Sequence, residues 1–363
     1  MPAPIQKTSD WHGEYDTIID VRSPSEFADD HIPGAINLPV LSDEERVEVG
    51  IIYKQSSPFA ARKIGAALIS RNIANHLDQQ LGQYPSDWSP LIYCWRGGQR
   101  SGAMARICSE IGWPVHILDG GYKAYRRMVR AALTDLASQL HPVMLDGATG
   151  VGKTLILSAL AKYDVQSIDL EALAVHRGSV LGSIPDQQQP SQRLFESQLL
   201  DAFMRCDMNR PVLIEAESSK IGQIHIPDGL WKKMISAPSI TITADLSARV
   251  NYIMRDYDHI ISEPSVLTKL VYGMVRRHGY AVTSEWSSMI KDENWPELVT
   301  HLIENHYDPA YQSSARRRKR VLLGLIHMET LTDKHIDQAA IQIAEKVNAI
   351  KVTKNDLFSC MDE

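Results

Sequence analysis

Cys94 closes the apolar run "PLIYC", and "WRGGQRS" follows it directly. An apolar run, a glycine- and arginine-rich break and small residues at helical spacing describe a strand, a loop and a helix. In such a turn successive backbone N–H groups point toward the helix N-terminus, where an anion is favoured. Gly97 and Gly98 permit the close approach this needs. The same field stabilises a thiolate, the nucleophilic form of cysteine. Arg100, six positions after Cys94, can fold back over the loop, and Arg96 can face a substrate. Trp95 and Gln99 complete the candidate anion-binding loop. The chemistry is attack on sulfur, selenium or phosphorus in an anionic carrier.

A second loop, "GATGVGKT" (Gly147–Thr154), fits G-x-x-x-x-G-K-[ST] completely. It follows the strand-like "PVMLD" and opens the helical "KTLILSALAK", the context that marks a P-loop. Backbone N–H groups of Gly147, Thr149, Gly150, Val151 and Gly152 would cradle a diphosphate. Lys153 would reach its oxygens, and Thr154 would hold a magnesium ion. The pattern specifies a polyphosphate and leaves open whether that is ATP, GTP or another diphosphate. Candidate metal or substrate carboxylates end two strand-like runs: Asp169 and Glu171 in "SIDLE", Glu215 and Glu217 in "VLIEAE". His176, Arg177 and Ser179 in "LAVHRGS" follow as candidate substrate contacts or as an ordinary loop.

The elements that position these loops alternate. Strands are expected at Asp16–Asp20, Pro90–Cys94 and Val115–Leu118, with helices at Arg62–Leu77, Ser101–Gly112 and Gly120–Leu140. The pattern restarts at His141-Pro142, with further strands at Asp164–Leu170, Pro211–Glu217 and Ser239–Asp245, and the last third reads as mostly helical. Alternation of this kind indicates open α/β sheets. The boundary falls near residue 140, giving domains 1–140 and 141–363.

Composition narrows the function classes. Hydrophobic content of 44% and charged content of 23% are those of a soluble globular protein. No apolar run is long enough to span a bilayer. The opening "MPAPIQKTSDWHGEY" has no signal-peptide character, so a cytoplasmic location is expected. The four cysteines, Cys94, Cys108, Cys206 and Cys360, form no CxxC pair, and neither a zinc knuckle nor a disulfide framework is indicated. Net charge is −6, so a nucleic-acid partner would be held by local basic patches.

Three segments resemble rhodanese domains in order: "DVRSPSEFADDHIPGAINLP", "YCWRGGQRS" and "LDGGYKAY". The loop departs from that pattern in length. Five residues separate Cys94 from Arg100, a spacing also seen in phosphatases that share the fold, and the wider cradle suits a phosphate-bearing donor. A rhodanese-like domain joined to a P-loop domain resembles the bacterial tRNA 2-selenouridine synthase family. "IDLEALAVHRGSVLG", "QPSQRLFESQL", "VLIEAESSKIG" and "NHYDPAYQSS" extend that similarity along nearly the whole chain. The resemblance implies a rhodanese-like open α/β sheet, then a P-loop NTPase-like α/β domain with a helical C-terminal part. It implies a tRNA partner with 2-thiouridine at the wobble position, and geranyl diphosphate and selenophosphate as cosubstrates. The sulfur is geranylated, and the S-geranyl group is then replaced by selenium; a selenophosphate supplier is a further expected partner. On this reading Cys94 attacks selenium and passes it on as a perselenide, while the P-loop holds geranyl diphosphate and requires no nucleotide.

Basic residues for RNA are sought at Arg126, Arg127 and Arg130, at Arg276 and Arg277, and in the densest run, Arg316, Arg317, Arg318, Lys319 and Arg320. Tyr307, Tyr311 and Trp95 are candidates for stacking on a base. Three rival readings remain: a rhodanese-type sulfurtransferase with a regulatory nucleotide-binding domain, a phosphatase, and a non-catalytic RNA-binding switch.

Overall fold

The computed structural model describes residues 2–178, 182, 184, 187–256, 264–317 and 320–350, with backbone alone for 314–317. The chain divides into two compact units, Met1–Leu133 with Pro190–Asp201, and Thr134–Gln189 with Ala202–Glu363.

In the first unit the strands are β1 (Ile5–Thr8), β2 (Thr17–Asp20), β3 (Ile36–Asn37), β4 (Pro90–Tyr93) and β5 (Val115–Leu118). They pair in parallel in the order β1-β5-β4-β2-β3. β4 sits at the centre and is buried throughout, which is why its sequence is an unbroken apolar run rather than an alternating one. The helices are α1 (Pro24–Asp29), α2 (Asp43–Gln55), α3 (Pro58–Gln79), α4 (Gln99–Ile111) and α5 (Gly121–Gln139). Ser42 caps α2 by accepting from the Glu45 N–H, and Ser23-Pro24 starts α1 with Glu26 reaching back to the Ser23 N–H. Ile19, Ile92, Met104, Cys108, Trp113 and Val115 lie in the core between sheet and helices.

The second unit is built on β6 (Pro142–Gly147), α6 (Lys153–Leu160), β7 (Ser167–Ile168) and α7 (Leu170–Ala174). α8 (Gln192–Met204) begins within the first unit and ends in the second. Then come β8 (Val212–Glu215), the small hairpin β9 (Lys220–Ile221) and β10 (Ile224–His225), α9 (Asp228–Ser236), β11 (Ser239–Ala244) and α10 (Leu246–Asp256). Helices at Pro264–Gly273, Val275–Lys291, Trp295–Leu302 and Asp308–Arg317 precede β12 (Leu322–Met328) and a last helix, Asp333–Asn348. The sheet runs β12-β11-β6-β8-β7, parallel throughout. Val143, Leu145, Ile156, Leu213, Ile240 and Ile343 are among its fully buried core residues, each worth about 1.5–3 kcal/mol on burial.

Both units are therefore mixed α/β with parallel sheets, and in both the candidate loops leave the carboxyl ends of central strands, where open α/β sheets place their ligands. The strand expected over Asp164–Leu170 shortens to β7, because Asp169 turns to cap α7 by accepting from the Ala172 N–H. β12 is a strand in the third of the chain that reads as helical; six of its seven residues pair with β11, with a register shift that skips Leu323. β1 was not expected either: "IQKT" is an exposed edge with no apolar alternation. Among the described residues, no helix is long and apolar enough to cross a membrane.

Candidate functional sites

In the first unit the chain leaves β4 at Cys94, crosses Trp95–Gly98 and enters α4 at Gln99. The loop is fixed from behind by the start of α5: Tyr122 N–H donates to the Cys94 carbonyl at 2.8 Å and Lys123 N–H to the Trp95 carbonyl at 3.0 Å. Gly97 takes φ +64°, and a Cβ there would lie 2.7 Å from the Leu118 carbonyl oxygen. "LDGGYKAY" is thus the seat of the loop.

Cys94 is 3% exposed. Its Sγ lies 3.2 Å from Ser101 Oγ and accepts the Gly98 N–H at 3.3 Å. Burial alone would raise the thiol pKa. The Ser101 hydroxyl and the backbone N–H groups of Ser101, Arg96 and Gly98 outweigh it and hold the thiol below its ordinary value. Cys108, buried on α4 with only one backbone N–H to offset its burial, is pushed the other way, up to about 12. Cys206 is half-buried and also raised by burial, and Cys360 lies outside the described residues.

Arg96, Trp95, Gly98 and Gln99 are exposed on the loop. Arg100 is not free in the same way: its Nη1 is 2.7 Å from Glu26 Oε2, which also receives Arg46 Nε at 3.0 Å. Burial opposes the Glu26 charge, but the two arginines hold that carboxyl below the usual range. Arg96 is therefore the loop cation that faces outward. Ser101 was missed in the sequence although it sits inside the quoted motif; it is the one hydroxyl in the first turn of α4.

In the second unit the P-loop runs from β6 to α6, with Gly152 at the helix N-cap at φ +78°. Lys153 Nζ lies 3.4 Å from the Gly147 carbonyl oxygen and 3.6 Å from Glu215 Oε1. Glu171, Glu215 and Glu217 bring carboxylate oxygens within 4.8 Å of one another. One lysine cannot neutralise three carboxylates. Lys153 is raised despite burial, by Glu215 first, while burial and mutual repulsion raise Glu171 and Glu215. Both Glu215 oxygens are buried without a hydrogen-bond partner. A buried carboxylate with no hydrogen-bond donor and a lysine only at 3.6 Å, beside two others, fits a hard divalent cation such as magnesium, and Thr154 lines the same cavity. Asp169 lines it as well, although its Oδ1 is used as the α7 cap.

The cavity has a volume of about 570 Å³. The P-loop, Lys153 and the carboxylates line it, together with Tyr252, Ile253, Tyr307, Ala310 and Tyr311 and with the polar Arg277, Asp256 and His306. Tyr307 and Tyr311 thus belong to this lining. His176 is buried, and its Nδ1 accepts the Gly178 N–H at 3.1 Å. Arg177 donates to the Asp256 carbonyl at 2.8 Å; Ser179 lies outside the described residues. Arg249, which the sequence did not single out, braces the loop. It donates to the Thr149 carbonyl at 2.9 Å and forms a two-pronged pair with Asp308 at 2.6 and 2.9 Å.

The basic run needs one correction. The Arg320 side chain is 4% exposed, 3.1 Å from Asp146 and bonded to the Met234 carbonyl, so it serves the core and not an RNA surface. Arg316 and Arg317 lie in the helix Asp308–Arg317, while Arg318 and Lys319 lie outside the described residues. Arg126 pairs with Glu196. Arg127, Arg130, Arg276 and Arg277 are exposed.

Comparison with known proteins agrees with this arrangement. Residues 5–128 match the rhodanese-like domain family, and residues 140–270 match the tRNA 2-selenouridine synthase AAA domain. A tRNA 2-selenouridine synthase of Alcanivorax borkumensis is 37% identical over 84% of this chain and 91% of that protein. That of Psychromonas ingrahamii is 30% identical over 83% and 88%. That of Nitrosomonas europaea is 35% identical over 66% of this chain, the match spanning 63% of its own length. With both domains matched in order and relatives covered over most of their length, the chain belongs to the tRNA 2-selenouridine synthase family.

Proposed function

We propose that this chain converts 2-thiouridine at the tRNA wobble position into 2-selenouridine, in two steps at its two loops. The observation that carries the division is that one cavity is lined both by the phosphate-binding loop with Lys153 and by Tyr252, Ile253, Tyr307 and Tyr311. A nucleoside base and a prenyl chain both suit such side chains; the resemblance along the chain favours the prenyl chain. Geranyl diphosphate is the reading we favour, with ATP or GTP as the competing ligand.

In the first step the loop amides and Lys153 hold the diphosphate and take up the charge that grows as it departs. The thiocarbonyl sulfur attacks the allylic carbon. Magnesium, when bound by Thr154 and the Glu171, Glu215 and Glu217 carboxylates, would supply further charge neutralisation. In the second step selenophosphate occupies the Cys94 loop with Arg96 facing it, and selenium replaces the S-geranyl group at C2. Alkylation matters because a thioether sulfur leaves a carbon more readily than a thiocarbonyl sulfur does. A cytoplasmic site of action accords with both substrates. The alternative, a sulfurtransferase with a regulatory nucleotide domain, predicts thiosulfate or persulfide as donor and no need of tRNA.

The test is direct binding of geranyl diphosphate, ATP and GTP to the wild type and to Lys153→Ala. The reading expects geranyl diphosphate to bind most tightly and the variant to lose it. Preferential binding of a nucleotide would contradict it.

A further inference from the structure

We propose that Cys94 attacks the phosphorus of selenophosphate, not its selenium, forming a phosphocysteine and releasing hydroselenide as the selenium nucleophile. The inference rests on the reading of the Cys94 loop as the selenophosphate site and names the atom that reacts there.

Electron balance speaks against attack at selenium. In selenophosphate the phosphorus is fully oxidised and the selenium fully reduced. If the Cys94 thiolate took the selenium, the P–Se pair would return to phosphorus, and the departing group would be phosphite, not phosphate. The perselenide would then join the uracil through a Se–S bond, and an added reductant would be needed to free it. Attack at phosphorus avoids both. The Cys94 sulfur lone pair makes the S–P bond, and the P–Se pair leaves on selenium as hydroselenide. Hydroselenide adds to C2 of the S-geranyl base, and the C–S pair leaves on geranylthiolate. The proton on selenium ends on N3 as C2=Se forms, and the thiolate takes a proton from solvent. Water then cleaves the S–P bond, giving orthophosphate and the free Cys94 thiolate. No oxidant or reductant enters.

The loop is built for this. Five residues separate Cys94 from Arg100, the spacing that suits a phosphate-bearing donor, and the Gly98 N–H already points at the sulfur. Ser101 Oγ, 3.2 Å from Sγ, can donate to the thiolate both as nucleophile and as leaving group when water cleaves the S–P bond. An alcohol leaving from phosphorus needs a proton donor, and the carboxyl nearest the loop arginine is no candidate: Glu26 is ion-paired with Arg100 and Arg46. Hydroselenide is the anion of a far stronger acid than an alcohol and leaves without a proton. Glu26 is thus no proton donor for an alcohol leaving group, and a phosphoryl–selenium cleavage needs none.

The test is rapid acid quench of the full-length protein with selenophosphate, followed by peptide mass spectrometry. Phosphocysteine and perselenide add nearly the same mass, and the selenium isotope pattern tells them apart. Phosphorus-31 spectra of the released product are read in parallel. The expected result is phosphorus without selenium on Cys94, with orthophosphate released. Ser101→Ala should slow release of orthophosphate by about 10- to 100-fold and let the phosphocysteine accumulate. Selenium on Cys94, phosphite in solution, or a wild-type protein that makes 2-selenouridine with no phosphorus ever on Cys94 would overturn the inference. If instead the complete mixture with thiolated tRNA and geranyl diphosphate yields no 2-selenouridine, it is the functional reading that fails.

Discussion

The Cys94 loop and the P-loop are the same backbone device used twice. Each leaves the carboxyl end of a central parallel strand, turns on glycines and delivers its amides to a helix N-terminus. They differ in what stands inside. The first holds a thiol whose donors outweigh its burial, and the carboxylate beside its Arg100 is shared by two arginines. The second holds a lysine among carboxylates that exceed it in number. The shared backbone selects an anion; the side chains decide whether it is attacked or held while it departs.

The largest effects should separate the two loops. Cys94→Ala removes the nucleophile and should lower 2-selenouridine formation by about 10³-fold or more, with S-geranylated tRNA accumulating. Lys153→Ala should weaken geranyl diphosphate binding by about 10- to 100-fold, the usual effect of losing a charged hydrogen bond to phosphate. If Cys94→Ala also abolished geranylation at unchanged stability, the division between the loops would break.

Next comes support of the P-loop. Arg249→Ala leaves Asp308 without its partner and frees the Thr149 carbonyl. It should destabilise the second unit by about 3 kcal/mol and lower ligand affinity, as read by thermal melts and titration.

The carboxylate cluster gives a pH signature. Glu171 and Glu215 titrate above the ordinary glutamate range when folded, so the folded chain keeps protons that the unfolded chain has lost. Their contribution to stability is present below the ordinary glutamate pKa. It is lost as pH rises from there to about 8 for Glu215. Melts of the wild type should fall over that window, magnesium should restore them, and Glu215→Gln should flatten the fall. A magnesium-independent profile would remove the cation from this site.

How far the sequence foretold these sites follows from the reach of its signals. Both loops were legible, because a strand, glycines and a helix start are contiguous. Arg249 was not, because it lies 100 positions along the chain from Thr149 and meets it only on folding. Ser101 was within view and passed over, since a helix-start serine most often caps its own helix. Arg320 misled for the opposite reason: neighbouring arginines look alike in a row, and only the fold shows that this one is paired inside with Asp146. The apolar "LLGLIHM" has strand length and lost out to the helical segments around it.

The smallest predicted effect separates those arginines. Changing Arg316 and Arg317 to glutamine should reduce the salt dependence of tRNA binding by about one to two units of slope. Arg320→Gln should lower the melting temperature and leave that slope unchanged.

The most direct measurement is nucleoside mass spectrometry of thiolated tRNA incubated with geranyl diphosphate and selenophosphate, for the wild type, Cys94→Ala and Lys153→Ala. The two-loop account predicts 2-selenouridine from the wild type, an arrest at the S-geranyl base for Cys94→Ala, and, at limiting geranyl diphosphate, about 10- to 100-fold slower consumption of 2-thiouridine for Lys153→Ala. Formation of 2-selenouridine by either variant at the wild-type rate would contradict it.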